Sequence, residues 1–197
     1  MLSSFFRSVG LSLDGGDFKA MNLKVIPLEL VAISTVRMWP STALAKVLVD
    51  VVRSNVTEHV IHFALFYLFV IWYLLNWGYM ISVALTKPGG YPNSAPRAYK
   101  AEGAIYRVKC SIENTFESMV CFIIATIICD KVADDNAQEL IASWAVLVML
   151  TRTIYPVFYI GDIDFLRTFS FALSMMSINF MFLVSLFPEF QSFVKST

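Results

Sequence analysis

Polar residues at helical spacing inside apolar stretches are the candidates for chemistry in this sequence. One group follows the spacing i, i+3, i+7, i+10 and another follows i, i+3, i+7, so each group lies on one face of a helix. The first group is Arg107, Cys110, Asn114 and Glu117, the second is Arg152, Tyr155 and Tyr159, and Arg167 comes just before the last apolar stretch. Several cations, an amide and two phenols around one carboxylate indicate a site for an anionic ligand.

The same residues also fit a purely structural role. In that interpretation Glu117 pairs with Arg152 or Arg107 as a buried ion pair that fixes the register of the helices, and Asn114 and the tyrosines bond across them. The surplus of cations over the single carboxylate favours a ligand, because fixing the register needs only one pair. Both interpretations remain open at the level of sequence.

The elements that must position these residues are membrane helices. Of the 197 residues, 57% are hydrophobic and 15% are charged, and the mean hydropathy is +0.66, whereas roughly 25% of the residues in a soluble domain are charged. Fifteen Lys and Arg balance fifteen Asp and Glu. The composition excludes disorder and predicts an integral membrane protein in contact with lipid. Because the charges balance, no basic field exists to attract nucleic acid.

Four apolar stretches are long enough to cross a bilayer. They are 59–86, 106–129, 138–160, which Arg152 and Pro156 interrupt, and 168–187. The sequence thus predicts an all-α, multi-pass bundle of four transmembrane helices, three of which bring polar groups to one end. Ser170, Ser174 and Ser177 form a small-residue stripe that suits close helix packing in lipid.

The chain before the first span, 1–58, is predicted to be an extension that is separate from the membrane domain 59–188. Lys46, Asp50 and Arg53 form a narrow polar stripe on an otherwise apolar helix. Such an amphipathic helix either lies in the membrane interface or docks onto a partner. Residues 189–197 are expected to be a C-terminal tail.

Targeting signals are weak. Residues 1–13 contain four Ser, one Arg and no acid, which resembles an organelle transit peptide. The distribution of Lys and Arg favours placing the loop after the first span on the cytosolic or matrix side. The expected location is an endomembrane or a mitochondrial membrane.

The sequence predicts neither a metal site nor a disulfide framework. His59 and His62 are one turn apart beside Glu58, but two histidines at a helix entrance usually sit at the membrane interface. The three cysteines, Cys110, Cys121 and Cys129, form no CxxC pattern and have no nearby His.

Two blocks of this sequence resemble the MAPEG family, the membrane-associated proteins in eicosanoid and glutathione metabolism. The stretch 107–117 is similar to the family's second-helix signature, Asn-x-x-Glu preceded by arginines, with Asn114 and Glu117 at the core positions. The second family block is an Arg, a Tyr-x-x-x-Tyr and a Leu-Arg-Ser/Thr that opens the last helix. It is matched by Arg152, Tyr155, Tyr159 and Leu166-Arg167-Thr168.

The resemblance covers about 60–188 and implies a four-helix subunit, usually a homotrimer, that binds glutathione between neighbouring subunits. Arg167 is implied as the catalytic residue that holds the thiol of glutathione as a thiolate, since a cation in a dry site lowers the pKa of a thiol from about 8.5. The residues implied to bind glutathione are Arg107, Asn114, Glu117, Arg152, Tyr155 and Tyr159. The implied activity is that of a glutathione transferase or peroxidase acting on a lipophilic substrate.

Two positions differ from the family pattern and keep an alternative open. Glutathione-binding members have an arginine four residues before the Asn, where this chain has Cys110, and often an aromatic residue after the Glu, where it has Ser118. Together with the extension 1–58, these differences favour a MAPEG-like accessory subunit with a structural role in a larger membrane complex. Enzyme activity is therefore left open, and a channel or transporter ranks last because the chain lacks inverted repeats.

Overall fold

The computed structural model describes residues 28, 30–55, 59–92, 99–133 and 135–195, and within them the chain forms helices and no strand. A helical stretch at 30–38 and a 3₁₀ turn at Trp39–Ser41 come first. The helices that follow are α1 (Ala43–Asn55), α2 (Val60–Thr86), α3 (Gly103–Val132), α4 (Asp135–Ile160), α5 (Asp164–Leu186) and α6 (Pro188–Lys195). Helices α2 to α5 contain stretches long and apolar enough to cross a membrane. This confirms the predicted all-α bundle of four transmembrane helices.

The third span differs from its prediction, because α4 is not interrupted. It continues through Arg152 and Pro156 to Ile160. Pro156 removes one backbone hydrogen bond from the helix, and membrane helices tolerate this loss where neighbouring helices surround the proline. Pro156 is buried in this way, so the proline leaves the helix intact.

The fourth span begins earlier than its prediction. Helix α5 starts at Asp164 rather than at residue 168, which places Arg167 inside its first turn. Hydropathy locates the part of a helix that lies in hydrocarbon and misses a charged end. The side chain of Arg167 is therefore held by helical backbone.

Helix α4 is the centre of the bundle. Of the two apolar stretches, 72% of the one in α4 is buried and only 22% of the one in α2, so much of the α2 surface is available to lipid or to another chain. The predicted small-residue stripe of α5 lies in the interior, with Ser170, Ser174 and Ser177 all buried. Small side chains let helices approach closely in lipid, so α5 packs tightly within the bundle.

Part of the N-terminal extension packs against the first half of α4. The Trp39 indole donates to the carbonyl of Ser143 at 2.7 Å, and the Trp144 indole donates to the carbonyl of Val36 at 2.9 Å. Both indoles are buried, so each N–H needs such an acceptor. The segment 30–55 is therefore packed on the bundle, while residues 1–27, which include the transit-like 1–13, lie outside the described residues.

The polar stripe of α1 lies beside the same half of α4. Arg53 forms an ion pair with Glu139 at 3.0 Å, and Lys46 and Asp50 line a cavity of about 440 Å³ with them. The opposite face of α1 is apolar and exposed at Leu44, Val47 and Val51. An interfacial or partner-binding role for this helix stays a prediction.

Candidate functional site

A cavity lies at the end of the bundle where α3 begins, α4 ends and α5 begins. Its volume is about 240 Å³, and it is lined by Asn114, Tyr155, Tyr159, Arg167, Thr168 and Phe171. Four of these six residues were predicted as site residues from their spacing. Three helices thus bring polar groups together at one end, as the sequence indicates.

Asn114 and Tyr155 join α3 to α4 at the wall of this cavity. The side-chain N–H of Asn114 donates to the Tyr155 hydroxyl oxygen at 2.9 Å. Tyr155 therefore acts as the acceptor in this bond and keeps its own proton available for a ligand. Its ring is packed edge-to-face on Tyr159, with ring centroids 5.4 Å apart.

Arg167 projects from the first turn of α5 into the cavity. Its guanidinium lies over the Tyr159 ring, 4.7 Å from the centroid. It also forms an ion pair with Asp164, Nη2 to Oδ1, at 2.7 Å. The guanidinium is thus fixed between an aromatic face and a carboxylate at the cavity wall.

Arg107 lies at the same end of the bundle, but it is not one of the lining residues. Its Nε donates to the carbonyl of Ile160 at 3.0 Å, and its Nη1 is 3.9 Å from the Asp162 carboxylate. The side chain therefore joins the start of α3 to the end of α4. These contacts use Nε and Nη1, and the guanidinium keeps further N–H donors for a ligand.

Arg152 lies inside the bundle and is fully buried, and its role as a ligand contact stays a prediction. Its Nε donates to the Ser174 hydroxyl at 2.8 Å, while Nη1 and Nη2 have no hydrogen-bond partner among the described residues. The guanidinium is 5.1 Å from the Tyr155 ring and 5.0 Å from the Phe171 ring. Arg152 thus packs against two of the aromatic side chains that line the cavity.

Glu117 is exposed on α3 and forms no ion pair with Arg107 or Arg152, although all three side chains lie in the described part of the chain. The ion pair of the structural interpretation is therefore not formed within the described residues of one subunit. The reason is geometric, because the Glu117 side chain points out of the single subunit while Arg152 points into it. Neither charge has a counter-ion in contact within the described residues.

The two positions that depart from the family pattern both lie near the cavity. Cys110 is half-buried beside the hydroxyls of Tyr106 and Tyr159. Ser118 is buried, and its hydroxyl donates to the carbonyl of Asn114 at 2.9 Å. Neither side chain brings a charge to the site.

Four residues at this end were missed by the sequence analysis. Thr168 and Phe171 line the cavity, and Asp162 and Asp164 pair with the two arginines. Phe171 follows Arg167 at i+4, so helical spacing could have found it. Asp162 lies in the turn after α4 and Asp164 is the first residue of α5, and at such helix ends no periodic pattern marks the direction of a side chain.

The histidines lie at the opposite end of the bundle. His62 Nε2 contacts the Asp130 carboxylate at 2.9 Å, and the rings of His59 and His62 meet edge-to-face. No group of three potential metal ligands occurs in the described ranges. The absence of a metal remains a prediction.

Comparison with known proteins identifies one family. The sequence model of the MAPEG family matches residues 62–187, which include every residue that lines the cavity. No curated protein and no solved structure matches the chain.

Proposed function

Because the chain belongs to the MAPEG family, we propose that it is a membrane-bound, glutathione-dependent transferase or peroxidase acting on a lipophilic substrate. The observation that carries this proposal is the cavity in which Arg167, Asn114, Tyr155 and Tyr159 converge. One cation, one amide and two phenols supply the donors that a peptide with carboxylates and a thiolate needs.

Arg167 is the residue that would hold the sulfur of glutathione. A guanidinium stays charged at any physiological pH, and a nearby cation favours the thiolate over the thiol. The S–H bond breaks, the electron pair stays on sulfur, and the proton leaves to water. With an electrophilic carbon, the thiolate forms an S–C bond while the bond from that carbon to its leaving group breaks. With a hydroperoxide, the thiolate forms an S–O bond while the O–O bond breaks and an alcohol leaves, and the thiol of a second glutathione then displaces water from the oxidised sulfur to give the disulfide.

The surroundings of the cavity suit a lipophilic second substrate. Phe165 on the first turn of α5 is 66% exposed, and Val157 near the end of α4 is 65% exposed. Apolar side chains exposed on membrane helices face lipid or another subunit. An apolar substrate could therefore reach the thiolate from the bilayer.

The cavity in one subunit is incomplete, which supports an oligomer. Its volume of about 240 Å³ is below the roughly 300–1,000 Å³ of ligand pockets. Glu117 is exposed in the middle of α3, and a carboxylate at that depth is costly unless it faces a protein interior. A homotrimer would cover Glu117 and add residues of a neighbouring subunit to the site.

The alternative function is that of an accessory subunit with a structural role. It is favoured by Cys110, which leaves the site without the arginine typical of glutathione-binding members, and by the exposed apolar face of α1 at Leu44, Val47 and Val51. Such a face suits a partner chain as well as lipid. In this case the protein binds no glutathione and purifies with other chains.

Glutathione binding by the purified protein tests the proposal. We expect calorimetry to show binding at millimolar glutathione, with the ultraviolet absorbance of a bound thiolate. Arg167→Leu should abolish the absorbance with the helical circular dichroism unchanged. Arg53→Leu is the matched control, because it also replaces an arginine with leucine. Arg53 lies on α1 and pairs with Glu139 near the opposite end of α4, so this variant should keep the thiolate absorbance.

The mass of the native assembly in mild detergent separates the two functions. A homotrimer that binds glutathione supports the enzyme. Folded wild-type protein without glutathione binding, in an assembly with other chains, would reject it in favour of the accessory subunit.

A further inference from the structure

The junction 162–164, where the turn after α4 leads into the first residue of α5, supplies one carboxylate to each of the two partly buried arginines at the cavity end. Asp162 faces Arg107 at 3.9 Å, and Asp164 contacts Arg167 at 2.7 Å. These arginines are two of the cations that suit an anionic ligand. Their charges are thus balanced within the chain before any ligand arrives.

The turn holds these carboxylates in a defined geometry. Helix α4 ends with two backbone bonds, from Ile163 N–H to the carbonyl of Phe158 at 3.0 Å and from Asp162 N–H to the carbonyl of Tyr159 at 3.3 Å. Asp162 has a φ of 59°. This pattern is a Schellman motif with Asp at the left-handed position, which Gly usually occupies. Asp164 follows as the first residue of α5 and is one turn from Arg167.

We propose that Asp164 is a built-in counter-ion of Arg167 that restrains ionisation of the bound thiol. This inference rests on the proposed glutathione chemistry. A thiolate and a carboxylate that share one guanidinium lie within the roughly 4–6 Å over which like charges disfavour each other. The negative charge of Asp164 therefore cancels part of the stabilisation that the Arg167 guanidinium gives to a thiolate.

The other groups around Arg167 do not replace Asp164 in this role. The ionisable or charged groups at this end of the packed elements are Tyr155, Tyr159 and Arg152 on α4, Tyr106, Arg107, Cys110, Glu113 and Glu117 on α3, and Asp162 in the turn. Of the acids among them, Asp162 is paired with Arg107, and Glu113 with Lys109 at 4.0 Å. Glu117 forms no ion pair within the described residues. Asp164 is the acid in direct contact with the guanidinium.

A purely structural role for Asp164 predicts a different result. An acid in the first turn of a helix stabilises that helix through its dipole. Removing its charge would then lower the melting temperature and leave the ionisation of a bound thiol unchanged. A counter-ion must change the pH at which the thiolate forms.

The experiment is a pH titration of thiolate absorbance with saturating glutathione. Asp164 is 78% exposed, so solvent weakens its effect. We expect the midpoint of Asp164→Asn to fall by about half a unit to one unit, which is about threefold to tenfold more thiolate below the midpoint. Asp164→Ser, which keeps a side-chain oxygen at the helix start, should move the midpoint in the same direction.

Asp162→Asn is the matched control. It makes the same chemical change two residues away, in the turn after α4. Asn tolerates the left-handed backbone at position 162. The arginine that Asp162 contacts is Arg107 rather than Arg167. We expect its midpoint to stay at the wild-type value. Equal shifts in both variants would overturn the specific pairing, and so would an unchanged midpoint in both Asp164 variants.

Calorimetry separates this inference from the proposed function. If glutathione binds to the wild type and the Asp164 variants have the same pH midpoint of thiolate absorbance as the wild type, the counter-ion role alone is rejected. Should the folded wild type bind no glutathione, both the enzyme and the counter-ion role are rejected.

Discussion

The two ends of α4 differ in how completely the contacts within one subunit satisfy their buried polar groups. At the docked end, where 30–55 packs on the first half of α4, the indoles of Trp39 and Trp144 are buried and each has an acceptor on the facing segment. At the cavity end, Arg152 has two buried nitrogens without a partner among the described residues, and Glu117 is exposed in the middle of a span. The docked end leaves one buried arginine nitrogen, Arg37 Nε, without a partner among the described residues, whereas the cavity end leaves both terminal nitrogens of a fully buried guanidinium without one. The unmet demand for hydrogen-bond partners is therefore larger at the cavity end.

Arg53 and Arg152 illustrate the difference between the two ends. Arg53 at the docked end pairs with Glu139, and both side chains are partly or largely exposed, so the pair contributes little. Arg152 at the cavity end is fully buried, where an unpaired charge is costly. Polar groups that are costly in a single subunit are typical of a functional site in a membrane protein.

The largest effect is expected at the docked end. Trp144→Ala removes a fully buried side chain and the bond to Val36, so it should lower the free energy of unfolding by about 3 to 5 kcal/mol. Unfolding in mixed detergent micelles measures this change. Trp77→Ala on the exposed face of α2 is the control, since Trp77 is 47% exposed.

Glutathione affinity per folded molecule should be the same in wild type and Trp144→Ala. An equal loss of binding and stability would show that the two ends are not independent. Removal of 1–55 should likewise destabilise the bundle, because it uncovers Trp144.

The next effect concerns Cys110 at the cavity end. Cys110→Arg should tighten glutathione, because it adds a cation beside Tyr159 on the face that carries Asn114, and a charge-assisted bond contributes about 1.5 to 3 kcal/mol. That corresponds to about tenfold to a hundredfold in the dissociation constant. Calorimetry measures it, with Cys110→Met as a control for size without charge. Equal affinities in the wild type and in Cys110→Arg would place the missing contact elsewhere.

Local patterns predict the cavity better than they predict the docked end. The four spans follow from apolar length, and Asn114, Tyr155 and Tyr159 reach the cavity wall because helical spacing keeps polar residues on one face. Arg167 was predicted from its place at the start of the last span and from the family resemblance. The bonds of Trp39 and Trp144 join residues that are 104 and 108 positions apart. No local periodicity encodes such a pairing, so the sequence predicted an amphipathic helix in 1–58 without predicting which part of the bundle this segment contacts.

Arg152 shows the limit of the same reasoning within the site. Its spacing places Arg152 on the same helix face as Tyr155. Side chains at i and i+3 still point about 60° apart around the helix axis, so two residues of one face need not both reach the cavity. Packing against Ser174 decides that Arg152 points inward. Asp162 and Asp164 were missed for a related reason, since they lie at the end of one helix and at the start of the next, where helical periodicity is interrupted.

The smallest effect tests the hydrogen bond between α3 and α4 at the cavity wall. Tyr155 accepts from Asn114 at 2.9 Å, so its proton is available for a ligand, and Tyr155→Phe removes that donor. A neutral hydrogen bond contributes about 1 kcal/mol, which predicts about fivefold weaker glutathione binding, and up to about 3 kcal/mol if the acceptor is the thiolate. Tyr67→Phe is the matched control, because the Tyr67 hydroxyl bonds Thr153 on the same helix α4, at 2.8 Å, and Tyr67 does not line the cavity. Calorimetry on both variants should show weaker binding in Tyr155→Phe alone. Equal losses in the two variants would mean that the hydroxyl of Tyr155 serves helix packing, and the cavity end would then resemble the docked end in being satisfied within one subunit.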